Sequence, residues 1–521
     1  MQRDRFFLYA WLIYAAFLIG SLPDYGVTWD VYLEFPRATA FVDHFLPERT
    51  GGEVPSPWKG LSYEDAGSRN FMAQNAVLPS IIAALSGKVF FEYLHILGPI
   101  DAYHLGLILL WLCAILYMYR RLTQLHSRDM ALCSMLFLML APRVLGHVPN
   151  NMKDVPAMAF VAMAVLDVAC ALRLRRPRLL LLAGVFFGAA ASSKLTAGIG
   201  LLPVGVLFLA QLKQGGLPRR YWLPLASAPL LALTVFVGHW PYLWVPPVEL
   251  WNRLVEWQSV IAMRSGSRSP SLYPAILLFL TTPVPTLLAG FGGAIPLWRA
   301  IGAEDRGLFY AYLLWFLGVL AAFSSGMIAL FDGIRSFLHF WPPLAFLAGW
   351  GVSMLAARLF ARAPRMVPFR LPITAFALVV LLLPSSLLYH PYEVTYFNAL
   401  IGGLPGATSL RFDPDRVLDF EPRDYWGTSV RRAVRWANLN LPENAVVSVS
   451  LPPRAPLAYR YRSDFRMALT EVGVTEYLIL LNRPLWFRQA DSLALRTGEI
   501  VHQQEARGVP LSFVIRMPRG D

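Results

Sequence analysis

The chain is poor in cysteine, with three in 521 residues: Cys113, Cys133 and Cys170. All three sit inside apolar runs, where a lone cysteine behaves as a small hydrophobe, so neither a disulfide framework nor a zinc site is expected. Charge is scarce too. Asp, Glu, Lys and Arg make up 15% of the residues against 56% hydrophobic ones, and the mean hydropathy is +0.48, which excludes an ordinary soluble globular protein. Acidic side chains are the scarcer sign, 33 against 46 Lys and Arg. The net charge of +13 would suggest nucleic acid in a soluble protein. Here the arginines fall mostly in short connections between apolar runs, where they orient a membrane protein, so nucleic-acid binding is not expected. Internal repeats, low-complexity tracts and Asn-x-Ser/Thr sequons are also missing. No ligand cluster has the usual metal spacing, so no divalent metal or other cofactor is implied.

What fills the chain is a series of apolar runs, each long enough to cross a hydrocarbon core about 30 Å thick. They fall at about 5–22, 102–120, 130–148, 155–173, 179–192, 196–212, 222–240, 273–297, 307–325, 338–360 and 370–388, which predicts a polytopic α-helical membrane protein with about eleven spans. The first, "FFLYAWLIYAAFLIG" (Phe6 to Gly20), follows Arg3 and Arg5 and has no small-residue cleavage site after it, so it is expected to be retained as a span. The short run 179–192 is expected to be kinked or re-entrant around "SSKL" (Ser192 to Leu195). The milder stretch Ala76 to Leu97 is expected to lie along the membrane surface.

The basic connections alternate. Arg120, Arg121 and Arg128 share one; Arg173, Arg175, Arg176 and Arg178 the next; then come Lys213, Arg219 and Arg220, then Arg299 and Arg306, then Arg358, Arg362, Arg365 and Arg370. The positive-inside rule puts these and the N-terminus in the cytoplasm. The remaining connections, and everything after Leu388, are then expected on the other side. The expected division is a transmembrane domain over 1–390, with an outer loop at about 23–101, and a soluble α/β domain over 391–521. In the latter, "AVVSVS" (Ala445 to Ser450), "YLILL" (Tyr477 to Leu481) and "LSFVIRM" (Leu511 to Met517) read as strands. "SVRRAVRWANLNLP" (Ser429 to Pro442) reads as an amphipathic helix carrying Arg431, Arg432 and Arg435.

The outer connections collect an unusual set of charges. "GVTWDVYLEF" supplies Asp30 and Glu34, "HVPNNMKDVPAMAF" (His147 to Phe160) supplies Asn150, Asn151, Lys153 and Asp154, and "SSKLT" supplies Lys194. "GHWPYLW" adds His239, and "LFDGIRSFLHF" adds Asp332, Arg335 and His339. An ionisable group at membrane depth costs roughly 2.5–3.5 kcal/mol on insertion scales, so several expected at one face suggest a polar cavity. Carboxylates mixed with cations there suit a lipid-linked anionic substrate, because a phosphate takes lysine or arginine. Each residue also has a plainer use. Asp154, before Val155 and Pro156, fits a helix N-cap, Lys153 and Lys194 could snorkel to head groups, and Asp332 with Arg335 could be a local i,i+3 pair. His239 and His339 could be packing residues, and Glu34 could face water. Asp30, flanked by Trp29 and Tyr32 at the start of an expected interfacial helix, is harder to explain away.

In order along the chain, "PRVLGHVPNNMKDVPAMAF", "GAAASSKLTAGIGLLP", "HWPYLW", "TTPVPTLL", "FDGIRSFLHFWPPLA", "HPYEVTYFNALIGGLPGA" and "DYWGTSVRRAVRWAN" resemble phrases of the polytopic glycosyltransferases of family 39. This is the protein O-mannosyltransferase group with its bacterial relatives, in the GT-C superfamily that uses lipid-phosphate sugars. The resemblance implies a polyprenyl-phosphate-linked sugar as donor and leaves the acceptor, a glycan, a lipid or a protein, open. It also implies a catalytic aspartate in the first outer loop, at the position of Asp30. The family usually has a glutamate directly after that aspartate, where this chain has Val31, with Glu34 the nearest acid. The usual His-Pro-Pro-Leu of that loop is replaced by "QNAVLPS" (Gln74 to Ser80). The eukaryotic members' β-trefoil domain is absent. These departures bear on the acceptor.

The implied reaction is displacement at the anomeric carbon with inversion, polyprenyl phosphate leaving as the acceptor hydroxyl attacks. Phosphate leaves as a stable anion and needs cations rather than the second carboxyl group of a glycosidase. Asp30 is then the expected base, and Arg335, Lys194 and Lys153 the expected phosphate ligands. Asp154, Glu34, Asp332 and His339 are expected to position sugar or acceptor. Two other classes remain open: a lipid or sugar transporter, which would move substrate without breaking a bond, and a non-catalytic assembly protein derived from the same family. The arginine preference and the lack of sequons suit a bacterial inner membrane with the site facing the periplasm.

Overall fold

The structure is a computed structural model that describes residues 2–28, 30–46, 78–265, 270–328, 333–410, 422–450, 459–468 and 475–518. Trp29, Asp332 and Gln74 to Val77 therefore lie outside the described residues. The first apolar run forms α1 (Gln2–Gly20), and α2 (Val31–Phe45) and α3 (Leu78–Gly87) follow. Then come α4 (Pro99–Leu125), α5 (Arg128–Met139), α6 (Pro142–His147), α7 (Asp154–Arg173), α8 (Leu179–Ala191), α9 (Leu201–Lys213), α10 (Trp222–Gly238) and α11 (Pro247–Ser265). The chain continues through α12 (Tyr273–Thr281), α13 (Val284–Ala300), α14 (Ala303–Ser324), a 3-10 stretch Gly333–Phe340, α15 (Trp341–Ala361) and α16 (Arg370–Leu387). The starts obey local rules: proline sits in the first two positions of α4, α6 and α15, where its missing N–H costs nothing, and the Ser127 hydroxyl accepts the N–H of Met130 to cap α5.

All eleven apolar runs are helical, and the chain is a polytopic α-helical membrane protein. Among the described residues, seven single helices are long and apolar enough to cross a membrane, or eight if the bent pair α12 and α13, which meet at 118°, counts as one span. The difference from eleven has local causes. α1 begins with three charges, Arg3, Asp4 and Arg5, within its 19 residues. The run 130–148 breaks at Pro142 into α5 and α6, and α8 has only 13 residues. That short helix is held by contact rather than length, wedged between α7 and α10. A Cβ at Gly184 would lie 2.3 Å from the Ala228 carbonyl oxygen, and one at Gly188 2.5 Å from that of Ala232. Small residues four apart on both helices let the backbones touch. After α8 the chain turns at Ser192–Ser193 and passes through a 3-10 stretch, Leu195–Gly200, into α9.

α7 is the centre of the bundle, its apolar window wholly buried, whereas the span ending in α10 is only 6% buried and turns its apolar side chains outward, as toward lipid. The two ends of α7 differ. It begins at Asp154 among the outer charges and ends about 30 Å away at Arg173, which pairs with Asp305 at the start of α14. The basic end also holds Arg128 on Asp4 at 3.1 Å and Arg121 on Asp167 at 2.7 Å. A cavity there of about 450 Å³ is lined in part by Asp129, Arg173, Asp305 and Arg370.

α3 is enclosed by protein. It packs between α2 and α4 with seven of its ten residues buried, and the π-helical turn after it buries Lys88 against Asp43 at 2.6 Å and Glu92 at 2.9 Å.

The C-terminal part is a five-stranded sheet of order β2-β1-β3-β5-β4: β1 (Val446–Ser450), β2 (Arg466–Met467), β3 (Tyr477–Leu481), β4 (Glu499–Ala506) and β5 (Val509–Arg516). β1 runs parallel to β2 and β3, whereas β5 is antiparallel to β3 and β4. Helix α17 (Val430–Asn440) packs Val430, Ala433, Val434 and Ala437 in one apolar cluster with Val447, Ile479 and Val514. A further helix, α18 (Gln489–Thr497), lies between β3 and β4. The arginines beside the apolar face of α17 reach back to the membrane part. Arg431 holds both oxygens of Asp101 at 2.7 and 3.0 Å, and Arg432 holds Asp24 at 2.9 Å. The same apolar cluster takes in Val27, Val31, Phe35 and Val42, so the loop before α2, and α2 itself, are gripped between the helices and the sheet. Residues 391–410 also return to the bundle, where Arg143 of α6 donates to the Tyr396 carbonyl at 2.9 Å and Asn398 donates to that of Thr282 at 3.0 Å.

Candidate active site

Asp30 immediately precedes α2, in helical conformation, and its side chain caps nothing. It is free to reach across the molecule: Nη1 of Arg335 donates to its Oδ2 at 2.6 Å. One turn further along α2, Glu34 is 1% exposed and forms ion pairs with Arg37 at 2.6 Å and Lys153 at 2.7 Å. It does not face water. Lys153 precedes α7. The cap of that helix is Asn151, whose Oδ1 accepts the N–H groups of Lys153 at 3.1 Å and Asp154 at 2.8 Å. Asp154 is thereby released from the capping use its position allowed. One of its oxygens accepts from Asn151 Nδ2 at 2.9 Å and the other from Lys194. Lys194 also points to the carbonyl of Ser336 at 3.5 Å, which follows Arg335 in the chain.

The contacts close a ring: Glu34, Lys153 and Asp154, Lys194, Ser336 and Arg335, Asp30. Among the described residues three carboxylates (Asp30, Glu34, Asp154) meet four cations (Arg37, Lys153, Lys194, Arg335), one positive charge in excess. Of the expected site residues, the structure brings together Asp30, Glu34, Lys153, Asp154, Lys194 and Arg335. His339 lies beside them, its Nε2 3.4 Å from the Thr196 hydroxyl. Asp332 lies outside the described residues, and Arg335 pairs with Asp30. His239 takes the plainer reading, with Nδ1 2.6 Å from the Val235 carbonyl of its own helix. Among the described residues no three His, Cys, Asp or Glu gather as a metal would require.

Sequence reasoning passed over Arg37 and Trp426. Arg37 stands three residues after Glu34, a spacing that pairs on a helix, so a local signal was available. Trp426, whose ring lies 4.9 Å from the Arg335 guanidinium carbon, had none, because that contact joins positions far apart in the chain.

Burial would push the Asp30 carboxyl up, but Arg335 and Lys153 outweigh it and hold the group below the ordinary carboxylate range. A depressed pKa means that the pair stabilises the fold above the unfolded value near 4 and is lost as pH falls through the lower folded value. Thermal unfolding of the wild type and Asp30→Asn is therefore expected to differ by a constant amount from pH 5 to 8 and by a shrinking amount as the pH falls below about 4. A gap that does not narrow on acidification would contradict the pairing.

The fold and the ring of charges together define a polytopic membrane protein with a ring of charges at one end of its bundle, roofed by a small α/β domain. The family model described as dolichyl-phosphate-mannose-protein mannosyltransferase matches residues 89–242, a stretch that contains Lys153, Asp154 and Lys194 but not Asp30 or Arg335. The chain resembles two solved structures of ArnT from Cupriavidus metallidurans over nearly its whole length. For the apo state the TM-score is 0.51 at 14% identity, covering 99% of this chain and 98% of that one. For the form bound to undecaprenyl phosphate it is 0.50 at 14% identity, covering 98% and 97%. Likeness at this identity establishes a shared fold. No curated protein matches the sequence. The chain thus shares the fold of those two structures and, over residues 89–242, is similar in sequence to the family of that description.

Proposed function

We propose that this protein is an integral membrane glycosyltransferase that moves a sugar from a polyprenyl-phosphate donor to an acceptor hydroxyl, with inversion at the anomeric carbon. The observation that carries the reading is the pairing of Asp30 with Arg335 in a ring that also contains Lys153 and Lys194. A carboxylate base and several cations for a leaving phosphate are what inverting displacement needs, and a second carboxylic acid is not. Without substrate, Arg335 is held by Asp30. A donor phosphate entering the ring competes for Arg335, Lys194 and Lys153, and as Arg335 turns to the phosphate Asp30 becomes a stronger base at the moment an acceptor needs one. Asp154 orients Lys194, and Glu34 orients Lys153. Because the site stands at the opposite end of α7 from the arginine-rich connections, the reading places it, with the C-terminal domain, on the extracytoplasmic side of the cell's inner membrane.

The test incubates purified protein in lipid vesicles with a panel of polyprenyl-phosphate sugars and measures free polyprenyl phosphate. Release with one donor of the panel, stimulated by acceptor, supports the reading. Transmembrane movement of the donor without release from any donor would favour a transporter and overturn it.

A further inference from the structure

Arg335 is held from two sides, by Asp30 and by the flat face of Trp426. Trp426 belongs to the segment Asp424–Ser429, just before α17, and is 1% exposed. The segment is folded around a single carboxylate. Asp424, fully buried, accepts the N–H groups of Trp426 at 3.2 Å, Gly427 at 3.0 Å and Ser429 at 2.6 Å. Gly427 has a φ of +88°, which lets the loop turn on that carboxylate at no steric cost. Three further contacts pin the loop in place. Arg483 donates to the Tyr425 carbonyl at 2.7 Å, the Tyr425 hydroxyl lies 3.3 Å from Nε2 of His147, and the His147 ring meets Trp426 edge-on at 5.1 Å. Against the Asp30 loop the fit leaves no room, because a Cβ on Gly26 would come 2.2 Å from the Thr428 carbonyl oxygen.

We infer that Trp426 is a positioning residue for Arg335, and that the Asp424-centred loop is how the C-terminal domain sets the geometry of the charged ring. A guanidinium stacked on an indole loses little hydration and much freedom, so Arg335 is presented to Asp30 when the site is empty and, on the glycosyltransferase reading, to the donor phosphate when it is full. The domain is on this account part of the site rather than a passive appendage.

The test compares Trp426→Phe, which keeps an aromatic face, with Trp426→Leu and Asp424→Asn in the full-length protein. The first readout is independent of any activity: the rate at which phenylglyoxal modifies Arg335, followed by mass spectrometry of its peptide, with buried Arg143 as the control for folding. Trp426→Phe is expected to leave the Arg335 rate within about two-fold of wild type, and Trp426→Leu and Asp424→Asn to raise it about five-fold or more, with Arg143 still protected. An unchanged Arg335 rate in Trp426→Leu would overturn the inference. So would a rise at Arg143 as large as that at Arg335, since the substitution would then have loosened the fold generally. The second readout is the KM for the polyprenyl-phosphate sugar, expected to rise about ten-fold in Trp426→Leu and to be rescued in Trp426→Phe. Faster labelling with no change in donor KM would keep the positioning role and sink instead the assignment of Arg335 to the donor phosphate.

Discussion

Asp30→Asn is expected to lower the rate of sugar transfer by about three orders of magnitude, the middle of the range for loss of a general base, with the donor KM unchanged or lower. Asparagine has the same shape, so the packing around Arg335 survives, but the amide cannot take a proton from the acceptor. It also holds the guanidinium less firmly, which leaves Arg335 more available to phosphate. The loss therefore belongs in kcat, and a variant that raised KM at constant kcat would have lost a binding group instead. The measurement is steady-state release of polyprenyl phosphate against donor concentration, once the panel has identified a donor. Full transfer by Asp30→Asn would remove Asp30 as base.

Lys194→Met is expected to reduce both stability and activity, and the two can be separated. The Asp154 side chain is 4% exposed and that of Lys194 27%, so deleting the lysine leaves a buried carboxylate with Asn151 alone. Breaking a fully buried pair costs about 3–5 kcal/mol; the partial exposure of Lys194 places this case nearer about 2 kcal/mol. Changing both partners, Asp154→Asn with Lys194→Met, removes the orphaned charge and is expected to restore most of the thermal stability in detergent. Transfer is expected to stay about a hundred-fold down, because the cation that would meet the departing phosphate is gone. Recovery of transfer in the double variant would make Lys194 a structural residue only.

The legible part of the architecture was that carried by runs of neighbours. Eleven apolar windows became helices because every residue of such a window contributes to one local sum, and α17 and three of the strands were readable for the same reason. β4, "EIVHQQEA", was not, since an edge strand with five polar or charged residues in eight has no apolar run to betray it; it is specified by its hairpin to β5, through Arg507 and Gly508 at φ +54° and +78°. The packing of α3 was not readable for the opposite reason: its apolar residues suit a membrane surface as well as a protein interior, and only the presence of α2 and α4 on either side buries it. For the charges, the types and the common end of the bundle were readable, whereas the partners were not. Asp154 looked like a cap because no local signal tells a reader that Asn151 takes the cap, and Glu34 looked exposed because Lys153 is far away in sequence.

The order of amino acids by itself determined that this chain is a membrane protein, where its apolar helices fall along the chain, and which side chains stand at one end of them. These follow from hydropathy and capping, which act over a few turns of chain. Which carboxylate meets which cation was decided only by the tertiary structure. Asp30 and Arg335 are 305 positions apart, and their 2.6 Å contact depends on the bundle bringing α2 against the 3-10 stretch before α15 while the C-terminal domain lays Trp426 over the guanidinium. An ion pair is a short-range interaction between points in space, so separation along the chain carries almost no information about it.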